Sequence, residues 1–220
     1  MKYITLILFI LPILFSCSKD KENTPQPIAP TNNPSQHVSL VTSVGSYWVY
    51  DWYEIDSTNT ETLMGNRDSI YVVGDTLING KVHTIYKGSY FGGSVQTNFF
   101  LDSSGYIVNN GHKLFTYSDF GTNYNFYCEV GNYYCRYETS INSTIQKSVP
   151  AGNFDVIETQ KSYYMPDSSW FSVCDSITIT HNYYDKNNGF EISSQMGFLN
   201  MLKNECSYYE RRLVDYHIAP

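Results

Sequence analysis

Hydrophobic and polar positions along most of this chain alternate with the two-residue period of β-strands. In Tyr47-Trp48-Val49-Tyr50-Asp51-Trp52-Tyr53, the side chains of Trp48, Tyr50 and Trp52 fall on one face, and those of Tyr47, Val49 and Tyr53 on the other. Both faces carry rings, so the pattern asks for cover on both sides. Further short runs rich in aromatic and β-branched residues predict strands at 69–73, 82–87, 97–101, 106–108, 113–117, 124–130, 133–139, 154–160, 171–180 and 212–218. Asn79-Gly80 and Asn110-Gly111 supply the two positive φ angles of a type I′ hairpin, Gly131-Asn132 suits type II′, and Asp102-Ser103-Ser104-Gly105 is a further turn. Hairpins this close together leave no room for parallel crossovers of about a dozen residues, so the sheet is expected to be antiparallel.

One segment breaks the alternation. Between 193 and 203, Ile192, Met196, Leu199 and Lys203 share a helical face, although Gly197 weakens it, so at most one short helix is expected there. About ten strands with little helix make an all-β antiparallel fold. Two architectures fit: a single strongly curved, barrel-like sheet, or a two-sheet sandwich.

The first residues differ from the rest. Lys2 precedes an apolar run from Ile4 to Phe15, too short for the roughly 20 residues of a membrane-spanning helix and suited to a secretory signal. Leu14-Phe15-Ser16-Cys17 then resembles the lipobox of bacterial lipoproteins. The resemblance implies removal of residues 1–16 and a thioether-linked diacylglycerol plus an N-acyl chain, such as palmitate, on Cys17. Anchoring by several acyl chains is firm without any spanning helix. The segment Ser18-Lys19-Asp20-Lys21-Glu22 is similar to the charged signal that sends some Bacteroidetes lipoproteins to the outer face of the outer membrane. The implied location is the outer membrane and the cell surface, with its periplasmic face as the alternative. Pro25, Pro27, Pro30 and Pro34 make the stretch up to residue 38 a semi-extended tether. Residues 39–220 contain no second linker and are read as one all-β domain.

Composition narrows the partners. Aromatic and charged residues each make up 16% of the chain, and Tyr alone numbers 21. A formal charge of −7 with no basic patch argues against nucleic acid, because phosphate binding needs clustered Lys and Arg. The segments 44–50, 74–81, 149–155, 183–190 and 213–216 (VGSYWVY, GDTLINGK, VPAGNFD, YYDKNNGF and LVDY) recur in this order in lipoproteins of the Bacteroidetes that have no assigned reaction. That resemblance implies an envelope location and an antiparallel β fold, and brings no catalytic residue with it.

Cysteine usage fits an oxidising compartment. Besides Cys17 there are four, Cys128, Cys135, Cys174 and Cys206, which allow three pairings or four free thiols. If Gly131-Asn132 is a two-residue turn, Cys128 lies opposite Cys135, within disulfide reach, and Cys174 with Cys206 follows by elimination. No short Cys-x-x-Cys unit points to a metal.

Motifs for catalysis are missing: no Gly-x-Ser-x-Gly, no His-Glu-x-x-His, no phosphate-cradling loop and no dinucleotide fingerprint. His37, His83, His112, His181 and His217 are scattered. The run Asp185 to Glu191 places its Gly one residue early for an EF-hand, and a turn is the simpler reading. The expectation is therefore no enzyme, no cofactor and no metal. The preferred function is a lipid-anchored binding or interaction module at the cell surface, partnered by a glycan or a protein. It predicts an outward aromatic patch, to which the doublets Tyr133-Tyr134, Tyr163-Tyr164, Tyr183-Tyr184 and Tyr208-Tyr209 each contribute one ring. A periplasmic carrier of an apolar ligand, with a curved sheet around a cavity, and a hydrolase whose acidic pair no motif reveals are the alternatives.

Overall fold

The computed structural model describes residues 38–128, 135–164, 179–197 and 207–220. The predicted signal, Cys17, the tether, His37, Cys174, Cys206, Tyr133-Tyr134 and the Gly131-Asn132 turn lie outside the described residues.

Twelve antiparallel strands form one sheet: β1 (Tyr47–Ile55), β2 (Glu61–Ile78), β3 (Lys81–Gly88), β4 (Gln96–Ser103), β5 (Tyr106–Asn109), β6 (His112–Thr116), β7 (Asn123–Cys128), β8 (Cys135–Val149), β9 (Gly152–Tyr164), β10 (Ile179–Asp185), β11 (Glu191–Met196) and β12 (Tyr208–His217). Their order is β6-β5-β4-β3-β2-β1-β12-β11-β10-β9-β8-β7. Each strand lies beside its sequence neighbours except at β6 and β7, which sit at the two ends of the order. The first and last strands pair from Tyr47↔His217 to Ile55↔Tyr208, which brings the sheet's two halves together. Between β6 and β7 no ladder forms, and side chains close the gap instead. The Tyr124 hydroxyl donates to the Leu114 carbonyl at 2.6 Å, Asn125 Nδ2 donates to the Lys113 carbonyl, and Thr116 N–H donates to Ser140 Oγ at 2.9 Å. The result is one nearly closed, barrel-shaped sheet, so curvature prevails over the two-sheet arrangement.

Closing the sheet on itself changes what alternation requires. Trp48, Tyr50 and Trp52 are buried inside, whereas Tyr47 on the opposite face is 36% exposed. Only the inner face needs cover, because the barrel wall supplies it. The turns follow their chemistry: Asn79-Gly80, Asn110-Gly111 and Ser104-Gly105 each place two consecutive residues at positive φ, as type I′ requires.

Where the helical period was read, the sheet continues. Ser193 to Met196 belong to β11, paired with Arg212 to Tyr209 of β12, and Ile192 is fully buried against the core. Positions 198–203 lie outside the described residues. Strand β10 also runs through Tyr183-Tyr184, with Asp185 and the next residues turning the chain. Cys128 and Cys135 oppose each other in the β7–β8 register and are joined by a disulfide with Cα atoms 4.1 Å apart, the close spacing of a non-hydrogen-bonded pair.

Residues Val38–Val41 fill one end of the barrel. Val38 and Val41 are buried, Ser39 N–H donates to the Asn187 carbonyl at 2.8 Å, and the Tyr86 hydroxyl donates to the Val41 carbonyl at 2.6 Å. Opposite Val38 the chain must bend tightly at Gly189, whose φ is +71° and where an added Cβ would stand 2.9 Å from Val38 Cγ1. The C-terminus returns to the same end, with Ala219 N–H donating to buried Ser46 Oγ at 3.0 Å. The chain thus enters the domain through a plug at the end where it also leaves.

Candidate functional site

Inside the barrel, Trp48 and Tyr50 of β1 and Tyr86 of β3 form part of the lining of a chamber of about 340 Å³. Its apolar wall is a row of rings. Trp48 and Tyr86 stack with centroids 5.4 Å apart, Tyr86 and Phe100 stack at 4.3 Å, and Phe190 tilts against Trp48 at 5.4 Å. Among its lining residues only Tyr90 and Gln96 are exposed, and they stand at the two ends of the connection between β3 and β4. The solvent-facing side of the chamber therefore lies at that connection.

The far wall is polar and built on Arg211 of β12. Its side chain is 5% exposed and held by two carboxylates: Nε and Nη2 donate to Glu191 Oε1 at 2.9 and 2.7 Å, and Nη1 stands 3.6 Å from Asp68 Oδ2. The guanidinium also lies over the rings of Tyr50 and Tyr90, each 4.6 Å from the centroid. Burial alone would depress its pKa, but the neighbouring Glu191 and the tyrosines hold it well above the ordinary arginine value. Asp68 is fully buried, which pushes its carboxyl up. The N–H groups of Gly92 and Phe91, the Trp52 indole N–H at 2.6 Å and Arg211 more than reverse that, leaving it below the ordinary range.

Asp68 therefore fastens the β3–β4 connection to the barrel. Phe91, in the left-handed region at φ +56°, and Gly92 turn both backbone N–H groups onto it at 2.9 Å. Phe91 packs edge-on against Trp52 at 4.8 Å. Neighbouring Tyr90 is 43% exposed as a residue, yet its hydroxyl is turned among Arg211, Glu191, Tyr163 and Asp68, and burial pushes its pKa up to about 12.

Polar accounting around the chamber does not balance. Trp48 Nε1, Asn109 Oδ1, Ser194 Oγ and Arg211 Nη1 are buried and have no hydrogen-bond partner among the described residues, and all four residues line the chamber. A buried polar atom left unmet costs about 1–3 kcal/mol, and native folds keep few of them. The charges, in contrast, are balanced: Arg211 faces Glu191 and Asp68, and Lys161 faces Glu138 at 3.9 Å, with Arg136 on the same carboxylate at 3.1 Å.

The residues singled out in the sequence sit elsewhere. His181 Nδ1 is 2.9 Å from Glu158 Oε1, a histidine–acid pair away from the chamber lining. His83, His112 and His217 are on the surface or beside it. Asp185 accepts N–H groups of Asn187 and Asn188 at 3.0 and 2.6 Å, which makes its segment a turn, and no group of three His, Cys, Asp or Glu side chains suited to a metal occurs among the described residues. Many rings gather inside, while Tyr47, Tyr71, Tyr90, Phe120, Phe126, Tyr127 and Tyr216 are exposed. Of the doublets, Tyr163, Tyr184 and Tyr209 are buried, and Tyr183 and Tyr208 are half-buried. Only Phe126 is more than half exposed among the described aromatic residues. The chamber's polar groups carried no motif in the sequence, since Arg211, Ser194 and Asn109 come from three strands and no local spacing links them.

No family model matches the chain, and no curated protein does. Among solved structures, it is similar to a protein from Bacteroides fragilis described as exported, with a YmcC-like fold. The identity is 10%, with 82% of this chain and 99% of that one covered, and the TM-score is 0.48. It is also similar to a protein described as a lipoprotein from Parabacteroides distasonis, at 13% identity, 83% and 100% coverage and a TM-score of 0.44. Neither likeness brings a ligand or a reaction to this chain.

Proposed function

We propose that this chain is a lipid-anchored envelope protein that binds a small ligand inside its barrel and performs no chemistry on it. The observation that carries the reading is the chamber of about 340 Å³ inside the barrel, lined on one side by the rings of Trp48, Tyr86, Phe100 and Phe190 and on the other by polar side chains around Arg211. That volume lies near the lower end of the range of small-molecule sites. Binding is favoured over hydrolysis by the state of the ionisable groups. Glu191 and Asp68 are both held by Arg211, Asp68 has further donors as well, and none of the described histidines lines the chamber. A general acid and base need a pair of titratable groups free to exchange protons with a substrate.

Anchoring is through acylated Cys17 at the outer membrane, with the domain on the cell surface. Val38, the first described residue, lies at the plugged end.

To test the binding reading, the full-length lipoprotein is purified from native membranes beside a Leu114→Trp variant, which fills the chamber from β6, and both are extracted for mass spectrometry. A small molecule present with the first and lost from the second, at unchanged circular dichroism, supports the reading. Identical extracts overturn it. Protease treatment of intact cells, with Cys17→Ala as control, tests the location: a domain digested only after the outer membrane is broken rules out surface display.

A further inference from the structure

Ser89, Tyr90 and Gln96 line the chamber on its solvent-facing side, at the two ends of the β3–β4 connection. We infer that this connection, residues 89–95, is a lid over the chamber, latched shut by Asp68 and released through the backbone at Phe91. As a device that regulates the same site, it rests on the binding reading above.

The connection lies outside the ladders, and its attachments to the barrel are few. Ser89 N–H donates to the Ser69 carbonyl at 3.2 Å, the Phe91 and Gly92 N–H groups donate to Asp68 at 2.9 Å each, and Asn66 Nδ2 reaches the Phe91 carbonyl at 3.4 Å. The Phe91 ring packs against those of Trp52 and Tyr209, with centroids 4.8 and 5.6 Å away, whereas Gly92 to Val95 are all exposed. A segment with so few buried side chains opens at a lower free energy than the strands that flank it.

Its closed form is also one that the local sequence disfavours. Phe91 stands at φ +56° and Gly92 at +67°, a region open to glycine and uncommon for a residue that carries a ring. Such a conformation persists only where the surroundings impose it. Here Asp68 does so, by collecting both N–H groups. Once they leave the carboxylate, Phe91 returns to negative φ and the connection swings away without disturbing a strand. A permanent connection would be held as well by apolar packing, without the cost of burying a charge.

Tyr90 couples the lid to the chamber. Its ring centroid lies 4.6 Å from Arg211 Cζ and its edge meets Trp52 at 5.2 Å. The same guanidinium holds Glu191 of the chamber wall and stands 3.6 Å from Asp68. A guest that shifts Tyr90 or Arg211 therefore acts on the latch.

The test places a thiol on the chamber wall with Leu114→Cys. Its reaction with methyl methanethiosulfonate is followed on the full-length protein in lipid nanodiscs, by mass spectrometry of the peptide that carries residue 114. Two further chains add changes at the lid. Asn66→Cys with Gly92→Cys locks it, because a Cβ on Gly92 would stand 3.9 Å from Asn66 Cβ, the usual separation across a disulfide. Cys is strained at the positive φ of Gly92, so the bond is first confirmed by non-reducing peptide mapping. Asp68→Asn loosens the latch by exchanging one acceptor oxygen for a donor. The lock is expected to slow labelling at least about tenfold, and Asp68→Asn to speed it at least about threefold at unchanged circular dichroism. If Asp68→Asn loses its fold, the locked chain decides alone, since it keeps Asp68. Labelling equally fast with and without the lock, or absent from all three chains, overturns the lid. The binding reading is judged apart from it: a small molecule that still separates extracts of the unaltered and Leu114→Trp chains leaves that reading standing when the lid falls, and identical extracts overturn it at any labelling rate.

Discussion

The inner face of β1 joins two regions built on different physics. At Trp48 the barrel is apolar: Val41, Tyr86 and Phe190 pack with the indole, and Val38 packs beside them with Ile107 and Phe115. Four residues further, at about 3.3 Å per residue, Trp52 meets a charged cluster in which Asp68, Arg211 and Glu191 are bound to one another and to the backbone of the β3–β4 connection. One region is held by area removed from water, which needs no particular partner. The other holds only while every member is present, because a buried charge without its partner is costly. The chamber lies between them and takes its rings from the first and its hydrogen-bonding groups from the second.

Removing one member of each region tests that contrast most strongly. Arg211→Met is expected to lower stability by about 3–5 kcal/mol at pH 7, since Glu191 and Asp68 lose their cation. Arg211 is one of the groups that hold the Asp68 carboxyl below its ordinary range. The part of the loss that comes through Asp68 therefore fades as the pH falls through about 4, measured by denaturant titration at several pH values. Trp48→Ala should cost a comparable amount, about 3–5 kcal/mol, through the void it leaves. Its loss should stay flat over the same pH range. A pH-dependent loss in Trp48→Ala, or a flat one in Arg211→Met, would break the comparison.

A smaller perturbation probes how closely the plug fits. Gly189→Ala places a Cβ 2.9 Å from Val38 Cγ1 at a positive φ, and should cost about 1–3 kcal/mol. Val38→Ala in the same chain relieves the contact but not the φ. The double variant should consequently recover only part of the loss, as read from thermal unfolding.

The mildest test is acid titration of the unaltered protein. Asp68 has a pKa below its ordinary value, so its contribution is complete above the unfolded pKa of about 4 and is lost as the pH falls below that. Release of the β3–β4 connection is expected before global unfolding, seen as faster amide exchange at Phe91 and Gly92 than at Tyr86. Exchange that stays equal at these positions down to pH 3 would show that Asp68 is not what fastens the connection.

Much of the wall was legible beforehand. Two-residue turns such as Asn79-Gly80 and Asn110-Gly111 and the alternation of Trp48, Tyr50 and Trp52 are local signals, and local signals survive folding. The period at Ile192, Met196 and Leu199 misled because a short amphipathic run fits a helix or a strand, and pairing with β12 decided for the strand. Length was understated in β2 and β8, whose polar stretches look like loops until neighbouring strands supply the ladder.

The aromatic content is the clearest division between the two levels. By itself, the sequence indicated an antiparallel β domain and carried an apolar N-terminal run, a lipobox-like Cys17 and a proline-rich stretch, because strand period, hairpin turns and local hydrophobicity are all properties of contiguous residues. Whether the rings would face outward as a patch or inward as a lining was decided only when the sheet curled and β1 met β12. Curvature makes one face of a sheet concave and turns alternate side chains toward one another. Residues as far apart as Trp48, Asn109, Ser194 and Arg211 thereby came to share one chamber.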